Sequence, residues 1–268
     1  MYSTYPTLSM RRLLLPETVP HGIEVWLLEL NLQAPLSDSD LNLLSEDEHM
    51  QALRFRKHED RVRSVATRAA LRRLLGAQLM LPPDRLRFVV NAYGKPGLGN
   101  GAQIEFNVSH AGCYALIALS TSGLVGVDIE REDRGIDAQN LAAYVFSPLE
   151  RRHALQTPKD FIRHWVAKES VLKAVGFGIS EHLQSVSILP RDDEAYEIAH
   201  HFPEWPEIQA WRLPVPNGYV GALAFERHDW SPTHGKSHEV ATNIPTRPVR
   251  VGSLLRTAAY LPMSSSAR

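Results

Sequence analysis

A weak internal repeat restricts the fold of this chain more than any other feature. Gly22-Ile-Glu-Val25 is echoed by Gly126-Val-Asp-Ile129. Ser45 with Ala52-Leu53 is echoed by Ser147 with Ala154-Leu155. Val65-Ala66, Arg68, Leu71, Arg73 and Gly76 are echoed by Trp165-Val166, Lys168, Val171, Lys173 and Gly176. Each match alone means little, but their order is shared and the offset slides from 104 through 102 to 100 residues. The 268 residues suffice for one large domain or two of about 120 residues each. The expected class is therefore α/β (α+β), a pseudo-dimer of two similar α/β halves with the active site in the cleft between them. The halves are placed at 1–121 and 122–230. Beyond 231 the composition turns to Pro, Ser, Thr, Arg and His, which reads as a mostly disordered tail, 231–268, with a short helix or packing arm at Val249 to Tyr260.

Local signals fill in each half. Ile23 to Leu30 reads as a strand. Ser45 opens a helix to about Phe55, with Glu48 completing a capping box. Glu59 to Leu75 reads as a longer helix stopped by Gly76. Leu86 to Asn91 is a strand, followed by the Gly/Pro-rich loop Tyr93 to Gly101. Ile104 to Val108, Tyr114 to Ser120 and Gly126 to Glu130 are strands. Ser147-Pro148 starts another helix, with Pro at the first helical position. Phe161 to Val175 is a helix ending at Gly176. Ser185 to Leu189 and Tyr219 to Phe225 are late strands.

The helix from Phe161 carries the most pointed chemistry. On a wheel of about 100° per residue, Phe161, Ile162, Trp165, Val166 and Leu172 share one apolar arc. Glu169 and Lys173 fall inside that arc, and buried charges cost stability unless something pairs with them. The two pair with each other four residues apart, or they meet a metal and a phosphate. Asp128 and Glu130 lie two apart on a strand, so both carboxylates face one way while Val127 and Ile129 face a core. An isolated Asp-x-Glu is usually a solvated strand face. With Glu169 the pair supplies three hard oxygen donors of the kind that hold Mg²⁺. Ser109 and His110 end a strand and point to opposite faces, so they are not a nucleophile–base dyad. Contact with a phosphate or a base suits them better. Lys95 sits in a loop whose glycines let a ligand approach the backbone. Arg61, Arg63, Arg68, Arg72 and Arg73 make one helix strongly basic, either a solvated face or a docking surface for an anionic ligand or acidic protein.

Composition excludes several classes. Net charge is −1, so no global field points to nucleic acid or membrane. Three leucines after Arg11-Arg12 are too few for a signal peptide, and no apolar run approaches a membrane span. The single cysteine, Cys113, forms no internal disulfide and no cysteine zinc site, which fits a reducing, cytoplasmic setting and a packed core thiol.

Tyr93-Gly-Lys-Pro96, Phe106-Asn-Val-Ser-His110, Gly126-Val-Asp-Ile-Glu130 and Phe161-x-x-x-Trp165-x-x-Lys168-Glu169-x-x-x-Lys173 occur in this order. Together they resemble the four motif blocks of 4′-phosphopantetheinyl transferases of the two-halved, surfactin-synthetase-activating type. Arg54-Phe55, His58-Glu59-Asp60 and Arg63 resemble that family's first half. The resemblance implies transfer of phosphopantetheine from coenzyme A to a serine of an apo acyl-, peptidyl- or aryl-carrier protein, releasing adenosine 3′,5′-bisphosphate. It implies Mg²⁺, or Mn²⁺, held by Asp128, Glu130 and Glu169. Lys173 and His110 then contact the pyrophosphate, while Arg63, Lys95 and Ser109 help hold the adenylate end. Glu169 is also the base for the carrier serine, and the enzyme acts as a monomer. Ala111 stands where the family commonly has a small hydroxyl, and Glu48 and Gln51 stand where basic residues are expected near the 3′-phosphate. Arg54, Arg56 or Arg63 are the replacements on offer. Two other readings use the same residues: an unrelated Mg²⁺ phosphotransferase or phosphohydrolase, and a non-catalytic binder of coenzyme A or carrier protein.

Overall fold

The computed structural model describes residues 8–226, apart from 100–101, 134, 136, 153–156, 177–181, 192–193 and 204. The expected tail, 231–268, lies outside the described residues. The first half contains β1 (Leu8–Arg12), β2 (Ile23–Leu30), α1 (Asp38–Leu41), α2 (Glu46–Leu53), α3 (His58–Leu79), β3 (Phe88–Val90), β4 (Pro96–Leu98), β5 (Glu105–Ala111) and β6 (Tyr114–Ser120). The second contains β7 (Val125–Arg131), α4 (Ala138–Val145), α5 (Pro148–Arg152), α6 (Pro158–Val175), β8 (Val186–Pro190), β9 (Ala195–His200), β10 (Ile208–Leu213) and β11 (Tyr219–Glu226).

Two antiparallel sheets organise the halves, in the orders β1-β2-β6-β5 and β7-β11-β10-β9-β8, while β3 and β4 form a separate hairpin. Alternation along each strand decides what each face covers. Ile23, Val25 and Leu27 of β2 join Val127 and Ile129 of β7 and Leu223 and Phe225 of β11 in a core between the two sheets. Leu28 and Leu30 turn with Phe106, Ile117 and Leu119 toward Ala66, Ala70, Leu71 and Leu75 of α3. On the far side, Phe161, Trp165, Val166 and Leu172 of α6 pack on Val186, Ile208, Ala210 and Ala222. The layers are thus helix, sheet, sheet, helix, with one apolar slab at each junction.

The repeat is visible in space, since β2 next to β6 with α3 corresponds to β7 next to β11 with α6. Both helix starts are capping boxes: Ser45 with Glu48 in the first half, and Ser147 with Glu150 in the second. Three expectations change. α3 runs through Gly76 to Leu79, and Met80, at φ 53°, takes the left-handed turn. Gly76 instead makes room for the returning chain, because a Cβ there would lie 2.7 Å from the Leu81 carbonyl oxygen. Of the Gly/Pro-rich loop, Tyr93 to Lys95 form the tip of the β3–β4 hairpin and Pro96–Leu98 are β4 itself, with the Asn91 side chain accepting from the amides of Tyr93 and Lys95; residues 100–101 lie outside the described residues. Cys113 is half-buried at the β5–β6 turn, with its sulfur 3.9 Å from the Tyr219 hydroxyl, and not packed in a core.

Candidate active site

β7 sets Gly126, Asp128 and Glu130 on the face that α6 covers, because Val127 and Ile129 go to the core between the sheets. Gly126 permits the close approach: a Cβ there would sit 2.1 Å from the Ser170 carbonyl oxygen and 2.5 Å from the Ala174 nitrogen. α6 therefore lies directly on the strand and brings Glu169 and Lys173 to the carboxylates. Lys173 Nζ lies 2.5 Å from Asp128 Oδ1, 3.4 Å from Glu169 Oε2 and 3.3 Å from Ser109 Oγ. Ser109 donates its hydroxyl to the same Asp128 oxygen at 2.6 Å. The other oxygen, Asp128 Oδ2, is buried without a hydrogen-bond partner among the described residues.

Electrostatics at this point are set by burial first and by the neighbouring charges second. Burial, reinforced by the charges of Asp128 and Glu130, pushes the Glu169 carboxyl up to about 7, and Lys173 only partly opposes this. Burial works to lower the Lys173 ammonium, but Asp128 and Glu169 outweigh it and leave Lys173 more firmly protonated than a free lysine. Among the described residues no three His, Cys, Asp or Glu side chains are gathered into a ready metal cage. The donor chemistry still suits a hard cation: all three acids offer carboxylate oxygens, one Asp128 oxygen lacks a partner, and burial with the neighbouring carboxylates raises the Glu169 carboxyl, an arrangement that a cation would relieve.

His110 belongs to the opposite face of β5. It is exposed at a rim yet surrounded by protein atoms, and burial, followed by Arg63 and Lys173, lowers its imidazole pKa. With Glu48, Gln51, Arg63, Ser64, Thr67 and Arg68 it lines a cavity of about 210 Å³ between α2, α3 and β5. Arg63 is half-committed there, donating to the Gly112 carbonyl at 3.1 Å and pairing with Asp60 at 2.5 Å. Two residues lining the cavity, Arg68 and Thr67, each have a buried polar atom, Nη1 and Oγ1, without a hydrogen-bond partner among the described residues. This separation of Ser109 from His110 is the one expected from the alternation of β5; nothing in the sequence marked Thr67.

Several expected site residues are otherwise engaged. Lys95 does not line the cavity: its ammonium donates to the Ala174 carbonyl at 2.9 Å, bracing the hairpin against the C-terminal end of α6, where a cation complements the helix dipole. Ala111 packs in the core between the sheets. Glu48 binds Arg72 through Nε and Nη2, both at 2.9 Å, and lies 3.5 Å from Arg68, so it holds α2 to α3. Arg54 and Arg56 are exposed. The sequence reading also missed Lys168. Both it and Glu150 are 0% exposed and 2.5 Å apart, and Lys168 also donates to the carbonyls of Val145, Leu183 and Val186. The repeat contained the signal, since Ser147–Glu150 with Lys168 matches Ser45–Glu48 with Arg68.

Two family models match successive stretches of the chain. Residues 37–122 match the 4′-phosphopantetheinyl transferase N-terminal family, and residues 124–224 match the 4′-phosphopantetheinyl transferase superfamily. The chain is 32% identical over 220 residues to the 4′-phosphopantetheinyl transferase HetI of Nostoc, covering 78% of this chain and 90% of that protein. It is 29% identical over 171 residues to the 4′-phosphopantetheinyl transferase Sfp of Bacillus subtilis, covering 60% and 75%. A 4′-phosphopantetheinyl transferase named ffp, also from Bacillus subtilis, is 28% identical over 209 residues, covering 74% and 91%. The chain belongs to the 4′-phosphopantetheinyl transferase family and is a transferase of the Sfp-like type.

Proposed function

We propose that this enzyme moves the 4′-phosphopantetheine arm of coenzyme A onto a serine of an apo acyl-, peptidyl- or aryl-carrier protein, with adenosine 3′,5′-bisphosphate as the second product. The observation that carries the site assignment is the Asp128 carboxylate. One of its oxygens is fixed by Lys173 and Ser109, and the other is buried and open to a further partner. Asp128, Glu130 and Glu169 are the residues that would hold Mg²⁺, or Mn²⁺ in its place. When bound, the ion neutralises charge on the pyrophosphate oxygens.

The protein's own groups do the rest. The carrier serine oxygen attacks the β-phosphorus, the bond from that phosphorus to the bridging oxygen breaks, and the bridging oxygen leaves on adenosine 3′,5′-bisphosphate. Glu169, titrating near neutrality, accepts the serine proton. Lys173 stays charged and stabilises the negative charge growing on the leaving oxygen. The adenylate end lies toward the cavity lined by Arg63, Arg68 and His110, with the spare Arg68 donor available to a phosphate. Ser109 is assigned to holding Asp128 and Lys173, and Lys95 to bracing the fold. The setting proposed is cytoplasmic and the enzyme monomeric. Among the described residues no helix is long and apolar enough to cross a membrane.

Intact-mass spectrometry of apo carrier proteins incubated with this protein, coenzyme A and Mg²⁺ tests the reading. A gain of one phosphopantetheine unit that disappears with EDTA is the expected result. No gain on fatty-acid, polyketide or peptide carriers would overturn it.

A further inference from the structure

Asn107 lies inside the Phe106-to-His110 block, and its side chain bonds the backbone of β7. β7 is the outer strand of its sheet, so one row of its backbone amides faces away from β11. An unpaired row of this kind is costly when buried. β5, the outer strand of the other sheet, supplies the partners with side chains. Asn107 Oδ1 accepts from the Val127 amide at 2.9 Å, and Ser109 Oγ accepts from the Ile129 amide at 3.3 Å. Both rungs span twenty residues and advance together, so the two strands run parallel here without a backbone ladder between them. Asp128 is the residue between the two bonded amides. Asn107 is buried at 7% exposure, and Ala111, on the same face of β5, packs in the core between the sheets.

We infer that Asn107 is a positioning residue. Its side-chain oxygen clasps the edge of β7, sets the register of one half against the other, and so fixes where the Asp128 carboxylate points. Resting on the assignment of Asp128 above, the clasp governs turnover more than coenzyme A binding, because the Asn107 oxygen bonds the β7 backbone beside Asp128 and Asn107 itself does not line the cavity. Asn107→Leu removes the acceptor at similar volume, and Asn107→Asp keeps an oxygen in the same place.

Amide hydrogen exchange and steady-state kinetics on the full chain test this together. In Asn107→Leu, exchange at Val127 should speed up about tenfold, the scale of one lost hydrogen bond. kcat should fall by about ten- to a hundredfold, the scale of a misplaced reacting group, with KM for coenzyme A within about twofold. Asn107→Asp should restore Val127 protection and most of kcat. Unchanged exchange in Asn107→Leu would overturn the clasp. Faster exchange with normal kcat, or equal loss of kcat in both variants, would overturn the positioning role. Should Asn107→Leu not fold, Asn107→Ala is read by the same criteria. If the wild-type protein modifies no carrier, the functional reading falls, while the exchange arm still decides the clasp.

Discussion

In the first half, Ser45 and Glu48 cap α2, and Glu48 reaches Arg72 and Arg68 on α3. In the second, Ser147 and Glu150 cap α5, and Glu150 reaches Lys168 on α6. The two nodes share a layout and differ in closure. Lys168 and Glu150 are wholly buried, and the ammonium donates to Glu150 and to the carbonyls of Val145, Leu183 and Val186. The first node divides its cations. Arg72 takes Glu48 and the carbonyls of Pro83 and Leu86, while Arg68, which lines the cavity, keeps one buried donor without a partner among the described residues and sets its guanidinium 4.8 Å from the Phe88 ring. One helix pair is thus a closed brace that aims α6 at Asp128, and its counterpart is a brace that also forms a wall of the cavity.

The widest break in this comparison should come from Lys168→Met, which leaves the Glu150 charge buried without its cation. A loss of about 3–5 kcal/mol is expected in chemical denaturation. Next, Asp128→Asn should cut turnover by about a hundred- to a thousandfold at little cost in melting temperature, because the side chain keeps its shape. A parallel drop in folded fraction would instead make Asp128 a stability residue. Arg68→Gln probes the open node. KM for coenzyme A should rise about tenfold with kcat nearly unchanged, as for one lost charged hydrogen bond. The smallest effect belongs to Glu48→Gln, which keeps an acceptor for Arg72. About 1 kcal/mol of stability is expected, well below the Lys168→Met loss. Equal losses at Glu48 and Lys168 would erase the distinction between open and closed nodes.

Much of the architecture was legible because periodicity and caps are local. The alternation of Ile23 to Leu30 and the Ser45–Glu48 box need no tertiary information to read. So was the placing of Glu169 with Lys173 on one buried helix face and of Asp128 with Glu130 on one strand face, since each element exposes its faces at fixed spacing; that Lys173 pairs with Asp128 was not read from the sequence. The contact of Lys95 with α6 was not legible because a lysine in a glycine-rich loop gives no hint that a helix end waits beside it, 79 residues further along the chain. Lys168 was passed over because α6 is buried almost all round, from Phe161 to Val175. A wheel with one apolar arc misplaces charges on a helix of that kind. The strands β9 and β10 escaped notice because their Glu and Arg positions dilute the pattern.

The seam between the halves also bears on how the chain folds. Its two rungs join residues only twenty apart, whereas Trp211 finds Thr18 across 193. Closing a loop of twenty residues costs little chain entropy, and short-range contacts form early. β5, β6 and β7 can therefore zip into a nucleus that already contains Asn107, Ser109 and Asp128, before either sheet is complete. In such an order of events, the centre of the site would be the first part of the enzyme to exist.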